Sequence, residues 1–586
     1  MRGRVGTLLW RALLAALLVC GIGLLPWLTR ADPAFTVLKA RSAEREATPA
    51  VLADIREQLG LDAGPLRLLG DWLGGLPRGD AGRSWISGTE VMPGVLETLG
   101  ASLLLMAVAL TIAVLVAALV CAPTLWSTGR RGTGGSGSAM VAALPEFLTA
   151  SVLATVVGVQ LGWLPALGWY GFQWTILPGL ALGLPAGALL GRLLDDLLPG
   201  AFAEPWALAA AARGIPARRI ARQAVRRCLP GLLPNAGLFV VGLTGGSVAV
   251  EQIFDIPGLG RTALQAAIAQ DLPVLQASTL ALVLLAALAA GGTRLAARLL
   301  IGPALRDGGL SSLHRPLPPA RRTPPLLYAG VLLGVVALGL PRDPLALDTR
   351  DRLQPPSWAH PFGTDALGRD VLARVGHGAL DTLLLASAIS AAALLIGLVL
   401  GLVPRVSGPL VDTVNAIPPV LAALLVTAVV GSGGATPALA VTAVAWAPLA
   451  AHTAALLRQE RATLHVTATR GLGADRWYVL RHELLPAALP PVTRHALLRL
   501  PAVALALAAL GFLGLGAQPP SPEWGLLLAE NQPYAERAPW AVLAPAAVLA
   551  LLGALAVTAA GLRVRRPRKA VRAAQHRPET RELAFQ

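Results

Sequence analysis

Residues 214–223 read Gly-Ile-Pro-Ala-Arg-Arg-Ile-Ala-Arg-Gln, and residues 473–482 read Gly-Ala-Asp-Arg-Trp-Tyr-Val-Leu-Arg-His. Each is a glycine, seven residues, an arginine and then Gln or His, just ahead of an apolar run, and the two stand 259 residues apart. Two other landmarks recur in the same order. Leu144-Pro145 and Ile417-Pro418 open apolar runs, and Pro257-Gly258-Leu259-Gly260 is answered by Leu513-Gly514-Leu515-Gly516 at an offset of 256. Three matched landmarks in one order identify two parallel copies of one unit.

The solvent for those copies follows from composition. Of 586 residues, 55% are hydrophobic and 14% charged, against about 25% charged in a typical soluble domain. Apolar surface on this scale exceeds what one aqueous core could bury. Charge-poor runs of roughly the 20 residues needed to cross a bilayer lie near 7–28, 98–122, 139–161, 172–191, 229–250, 274–293, 325–341, 382–403, 413–430, 436–456, 486–510 and 540–561. The expectation is an all-α polytopic membrane protein of about twelve transmembrane helices, six per repeat. It divides into a first helix (1–28), an outward segment (29–92), a first core (93–301), a cytoplasmic linker (302–324), a second half (325–565) and a basic tail (566–586). The first run also resembles a signal peptide, with Arg2, Arg4 and Arg11 ahead of it. Its apolar part is long for one and no clean cleavage site follows, so an uncleaved span is the preferred reading.

The net charge of +16 raises nucleic acid as a partner, and its distribution argues against that. With the N-terminus inside, segments on the inner side sum to +24 and those on the outer side to −7. The basic excess sits on one side, as the positive-inside rule requires, with both termini cytoplasmic. Trp163, Trp169, Tyr170 and Trp174 surround one outer turn as an interfacial belt. Cys20, Cys121 and Cys228 lie in or beside apolar segments and offer no disulfide framework.

Each cytoplasmic loop reads as a short helix broken by glycine: Ala209–Ala212 form helix readily, and Gly214 or Gly473 permits a turn with positive φ. The arginines beyond each glycine suit an acidic partner or the headgroups of membrane lipid; either loop alone reads as a basic inside loop, and the matched pair as a docking surface for a two-fold partner. Inside the spans, Glu146 is the only charged residue between Arg131 and Arg192, and Arg499 lies within the eleventh run. An ionisable group in a span faces a cavity or a partner by default, which makes both translocation candidates. The alternative puts Glu146 near the headgroups and lets Arg499 snorkel. His452, His465, His482 and His495 lack metal-ligand spacing, so no metal site is expected. Neither Lys39 nor Lys569 stands in a phosphate-binding loop, so ATP chemistry is not expected in this chain.

These residues resemble the inner-membrane permeases of ABC importers for dipeptides, oligopeptides and nickel, with two permease subunits fused. The first half is similar to one subunit through Glu204-Pro205-Trp206 to Ala212-Arg213-Gly214 and through Glu251-Gln252-Ile253-Phe254-Asp255-Ile256-Pro257-Gly258-Leu259-Gly260-Arg261. The second is similar to the other through Gly363-Thr364-Asp365-Ala366-Leu367-Gly368-Arg369-Asp370 and through Gly511-Phe512-Leu513-Gly514-Leu515-Gly516-Ala517-Gln518-Pro519-Pro520-Ser521-Pro522-Glu523-Trp524-Gly525. The resemblance implies the type I importer permease fold in a bacterial inner membrane, with no catalytic residue and no cofactor in this chain. ATP and magnesium would be held by two ABC ATPase subunits, or a fused pair. These would dock on Glu204, Ala212, Arg213, Gly214, Arg218, Arg219 and Arg222, and on Ala468, Arg470, Gly471, Gly473, Asp475, Arg476 and Arg481. A substrate-binding protein would dock outside, and Glu251, Pro257, Gly258, Gly260, Gly514 and Gly516 would join Glu146 and Arg499 as gating candidates.

Two positions depart from that pattern. Thr467 stands where the loop often has an acidic residue, and Leu507 where one often precedes the late Gly-Leu-Gly string. The rival reading is an ion-coupled secondary carrier, which also uses repeats of six; it usually needs embedded carboxylates, and Glu146 is the one convincing example here. An ABC exporter or a non-transporting scaffold leaves the matched loops or the outer signatures unexplained.

Overall fold

The computed structural model describes residues 2–29, 32–42, 44, 46–127, 136–301, 323–415, 417–431 and 433–560. The linker expected over 302–324 falls outside these except for its last two residues, as does the whole of the tail 566–586. The first half comprises α1 (Arg2–Gly23), α2 (Leu25–Leu28), α3 (Pro33–Arg41), α4 (Pro49–Gln58), α5 (Pro65–Gly75), α6 (Val91–Trp126), α7 (Ser136–Val141), α8 (Glu146–Leu153), α9 (Gln173–Phe202), α10 (Pro205–Ala212), α11 (Ala217–Ile253), α12 (Leu259–Ala269) and α13 (Leu272–Ile301). The second comprises α14 (Thr323–Gly339), α15 (Val371–Leu402), α16 (Pro404–Val414), α17 (Pro419–Val430), α18 (Thr436–Arg461), α19 (Leu464–Gly471), α20 (Arg476–Tyr478), α21 (Leu485–Phe512), α22 (Trp524–Asn531) and α23 (Pro539–Ala560). Among the described residues the only β pairing is two isolated bridges.

Every one of the twelve apolar runs lies on a helix, but they are not all alike. Among the described residues seven helices are long and apolar enough to cross a bilayer, and five apolar helices are shorter, including Glu146–Gln160 and Pro419–Val430. A helix rises 1.5 Å per residue, so these two fall short of the roughly 30 Å hydrocarbon core. Each follows a break that ends in Pro145 or Pro418, after the short helices α7 and α16. The runs at 139–161 and 413–430 are therefore broken helices. Conversely, the runs at 229–250 and 486–510 extend further than the sequence implied. α11 continues without interruption from the basic loop, and the matching stretch Arg476–Phe512 has the same 37 residues. A π-helical turn over Val479–Leu484 interrupts only the second.

Close helix approach in lipid depends on small residues, because burying apolar surface gives little advantage there. In the first half Gly179, Gly183, Gly187 and Gly191 lay one face of α9 against α6, and a Cβ on Gly187 would stand 2.6 Å from the Ala113 carbonyl. In the second half the glycines are on the other partner: Gly397 and Gly401 of α15 meet Trp446–Thr453 of α18. The same helix pair is thus closed by opposite donors.

The repeat also extends to an unrecognised landmark. Before α6, the Val91 N–H donates to Gly82 O and the Gly88 N–H to Ser84 O; before α15, Val371 donates to Gly363 O and Gly368 to Asp365 O. A similar turn, one residue longer in the first half, precedes both long spans. The first sits at the end of segment 29–92, where Ser84 Oγ and the Trp85 N–H donate to Asp271. Gln276 Nε2 donates to Ile22 O and Gly23 O, tying α1 to α13.

Replacing Gly187 by Leu should overpack the α6–α9 contact and destabilise the protein by about 1–3 kcal/mol. Gly100→Ala, where a Cβ meets nothing within 4 Å, should cause no loss. Thermal unfolding of the two detergent-solubilised variants checks the difference.

Candidate functional site

The halves meet around a cavity of about 470 Å³ lined by Pro145, Glu146 and Phe147, by Pro418, Pro419 and Val420, and by facing stretches of α11 and α21. The N-termini of the two broken-helix segments thus open on the same space. Glu146 lies in the first turn of α8, where a negative charge is favoured by the helix dipole. Its carboxylate rests on Gly246, and a Cβ there would come within 3.2 Å of Glu146 Cδ. Gly245 gives similar close passage to Pro418. A second cavity of about 180 Å³ contains Arg499 and shares Asn415, Ile417, Pro419, Ala502 and Ala506 with the first. The two intramembrane charges therefore face adjoining spaces; among the described residues no ion pair joins them. Hydrogen bonds also cross between the halves: Gln160 Nε2 donates to Ala535 O, and Gln270 Nε2 to Thr427 O.

The two basic loops carry α10 and α19, both eight residues long and standing 259 residues apart. Each ends in the same left-handed cap. Gly214 has φ +73° and Gly473 φ +91°; Gly214 and Ile215 donate to Ala211 O and Ala210 O, while Gly473 and Ala474 donate to Arg470 O and Thr469 O. This is a two-bond helix stop that satisfies the last carbonyls. Ala212, Arg213, Arg218, Arg219, Arg222, Ala468, Arg470, Gly471, Asp475, Arg476 and Arg481 are exposed around these caps. So are Leu208, Leu464, Leu472 and Trp477, the last three at 65–89%. Exposed apolar side chains between arginines are what a partner surface needs.

Glu204 behaves differently. It is half-buried, and Arg227 grips it with Nη2 2.9 Å from Oε1 and Nε 3.2 Å from Oε2, while Trp206 Nε1 donates to it at 2.7 Å. It staples α10 to the following span. In the second half the staple has the reverse polarity: His465 Nε2 lies 3.2 Å from Glu460 and 3.5 Å from Glu483. Thr467 is exposed beside it and donates only to Thr463 O. Sequence reading missed Arg227 and Glu483, which carry no motif and act only through folding. It also missed that His452 and His495, 43 residues apart, bring their ring centroids to 4.6 Å.

The outer signatures prove to be internal joints. Glu251 is fully buried; Ser102 Oγ donates to it at 2.7 Å and the Arg261 N–H at 2.9 Å, so the carboxylate sits at the N-terminus of α12. A Cβ on Gly258 would fall 2.2 Å from Glu251 Cδ, and one on Gly260 2.7 Å from Val248, which explains glycine on both sides of Leu259 after Pro257. In the second half the carboxylate comes from another position. Glu523 accepts from the Gly525 and Leu526 N–H groups at the start of α22 and presses on Gly511. It shares a cavity of about 110 Å³ with Leu507 and Asp381. Gly514 turns with φ +74°, and Gly516 packs on Gly511 and Pro437. Burial, helped by Asp381, pushes the Glu523 carboxyl up to about 7 against its two N–H donors.

The turn before α15 is the most charged joint. Asp365, 1% exposed, accepts from Arg369 Nε at 2.7 Å and from Arg374 Nη1 at 3.0 Å. Both arginines continue to Glu530 of α22. Asp370 caps α15 through the Leu372 and Ala373 N–H groups and pairs with Arg342 at 2.6 Å. Thr364 Oγ1 accepts from the Gln354 N–H. Gly363 and Gly368 lie at φ +70° and +77°, and a Cβ on Gly368 would collide with Asp348 O.

Two like bundles around a shared cavity, with matched glycine caps, define a two-fold repeated integral membrane protein. Residues 115–300 and 389–569 each match the family described as binding-protein-dependent transport system inner membrane component, and the chain belongs to that family. It is 36% identical over 203 residues to a "Probable D,D-dipeptide transport system permease protein DdpC" of Escherichia coli (strain K12), spanning 33% of this chain and 67% of that protein. It is 37% identical over 196 residues to the "Di/tripeptide transport system permease protein DppC" of Pseudomonas aeruginosa (strain UCBPP-PA14), spanning 31% of this chain and 65% of that one. The protein is thus a transport permease with the family's membrane domain twice in one chain.

Because the Glu523 pKa is raised in the folded state, its contribution to stability is present below about pH 4.5 and is lost as pH rises through about 7. Melting temperatures at pH 5 and 8 should therefore converge in Glu523→Gln relative to the native chain. An unchanged pH difference would remove Glu523 from this role.

Proposed function

We propose that this chain forms both halves of the translocation pathway of an ABC importer for peptides or a related small solute such as nickel. The observation that carries the reading is the pair of identical helix–glycine–helix caps on one face of the two repeats. Two ATPase subunits, which hold ATP and magnesium, dock there: one on α10 with Ala212, Arg213, Gly214, Arg218, Arg219 and Arg222, the other on α19 with Ala468, Arg470, Gly471, Gly473, Asp475, Arg476 and Arg481. The stapled Glu204 keeps the first docking helix in place. A substrate-binding protein delivers solute to the outer face, above the joints at Glu251–Gly260, Gly363–Asp370 and Gly514–Gly516. Closure of the ATPases rotates the halves about their shared interface, which is rigid-body alternating access.

The peptide assignment is supported by the relatives named above and by the charge placement. A mostly apolar cavity with a carboxylate, Glu146, beside a second with a guanidinium, Arg499, suits a solute with an ammonium group at one end and a carboxylate at the other. The chain lies in the bacterial inner membrane with both termini inside.

Affinity purification of the tagged chain from its native membrane, with a trapping nucleotide analogue, should recover one or two ATPases bearing phosphate-binding loops. Their absence would favour an ion-coupled carrier. With the transporter reconstituted, Glu146→Gln and Arg499→Gln should each lower peptide uptake about tenfold or more, the scale of a lost charge-assisted contact. Unchanged uptake in both would remove them from the pathway. Gly214→Val, which forces a branched side chain to positive φ at a cost of about 1–2 kcal/mol, should weaken ATPase recovery while leaving the chain folded.

A further inference from the structure

The second docking loop carries a feature that the first lacks. Behind α19 lies an open cavity of about 810 Å³ lined by Arg461, Arg470 and Arg476 together with Leu402, Val403, Ala474, Leu480 and Leu484. No acidic residue lines it. Among the described residues none of the three arginines forms an ion pair or a side-chain hydrogen bond, and Arg461 Nε is buried without a partner. The cavity sits where α15 and α18 end on the cytoplasmic side, with the leucines on its wall.

The first half shows that this arrangement is not demanded by the fold. At the 259-residue offset, buried Leu198, Ala207 and Ile220 correspond to buried Leu457, Val466 and Val479. The same offset places Phe202, Ala211 and Ala217 where the second half has Arg461, Arg470 and Arg476. Phe202 is 8% exposed and packs with Leu198, Ala207, Ala210 and Ile220 into a closed apolar cluster. The first half thus has a buried phenylalanine at the position of Arg461 and exposed alanines at those of Arg470 and Arg476, while in the second half three cations line an open space. Three guanidinium groups converging without a counter-charge are unfavourable unless an anion joins them, and arginine presents a planar fork that matches phosphate oxygens.

We propose that this cavity binds the phosphate of an anionic phospholipid from the cytoplasmic leaflet, with its acyl chains running along Leu402, Leu480 and Leu484. The headgroup bridges the ends of α15 and α18 to the cap of α19, so an anionic lipid completes the second docking loop as Phe202 completes the first. This assignment does not depend on what the protein transports. It adds an inward role for Arg470 and Arg476, whose exposed parts remain available to a partner.

The test uses the full-length chain in nanodiscs of phosphatidylcholine containing a minor fraction of phosphatidylglycerol, with retained lipid counted by native mass spectrometry after release into detergent. The native chain should retain phosphatidylglycerol in preference to phosphatidylcholine. Arg461→Phe, which installs the first half's residue, should lower that retention about fivefold and the triple variant Arg461→Gln/Arg470→Gln/Arg476→Gln about a hundredfold, from roughly 1 kcal/mol per basic residue near an anionic surface. The exposed Arg458→Gln should leave it unchanged, which separates the site from general basicity. Millimolar inorganic phosphate should not displace the lipid; displacement would assign the site to free phosphate and overturn the proposal. Equal retention by the native chain and both cavity variants would also overturn it, as would loss of ATPase recovery in the variants with lipid retention intact, which would make the arginines a protein-docking surface. Melting temperature in detergent confirms that each variant is folded, and Arg461→Phe guards against a triple variant that fails to fold.

Discussion

In the hydrocarbon core every backbone N–H and carbonyl must be satisfied by the protein itself, so a helix can break only where other protein or a cavity surrounds the break. That constraint explains the centre of this molecule. Both repeats interrupt the third of their six apolar runs, at Pro145 and Pro418, and both interruptions are placed in the contact between the halves rather than toward lipid. The exposed N-termini of α8 and α17 then face a common cavity, and the glycines of α11 at 245 and 246 let the opposite segments approach it. A cavity at the repeat interface follows from the need to hide two broken helices.

The two halves solve the same mechanical problems with different residues. Close packing of the long spans uses glycine on α9 in one half and on α15 in the other. A buried carboxylate at the N-terminus of the outer helix comes from the preceding span in the first half, as Glu251, and from the helix cap itself in the second, as Glu523. The staple behind the short helix of each basic loop places the acid in the loop in one half and on the span in the other. Leu507, which breaks the sequence pattern, is therefore no loss: Glu523 supplies a carboxylate beside it. The long outer strings of the second half are conspicuous for a related reason, since the network of Asp365, Arg369, Arg374 and Glu530 is buried, and removing one member of such a network leaves an unpaired buried charge.

Much of this was legible in the order of residues. Apolar runs, the one-sided arginines and the recurrence at offsets of 259 and 256 define a polytopic chain of two parallel repeats, because length of apolar run and charge placement are local properties that the bilayer reads directly. The glycine stops at Gly214 and Gly473 were legible too, since a left-handed cap is set by the residue at that one position. Tertiary structure alone decided which runs are broken, that Glu146 and Arg499 face adjoining cavities, that Arg227 holds Glu204, and that Arg461 opens a space where Phe202 closes one. Those outcomes join residues hundreds of positions apart. Their energies depend on burial and on the partner present, quantities that do not exist until the chain has folded.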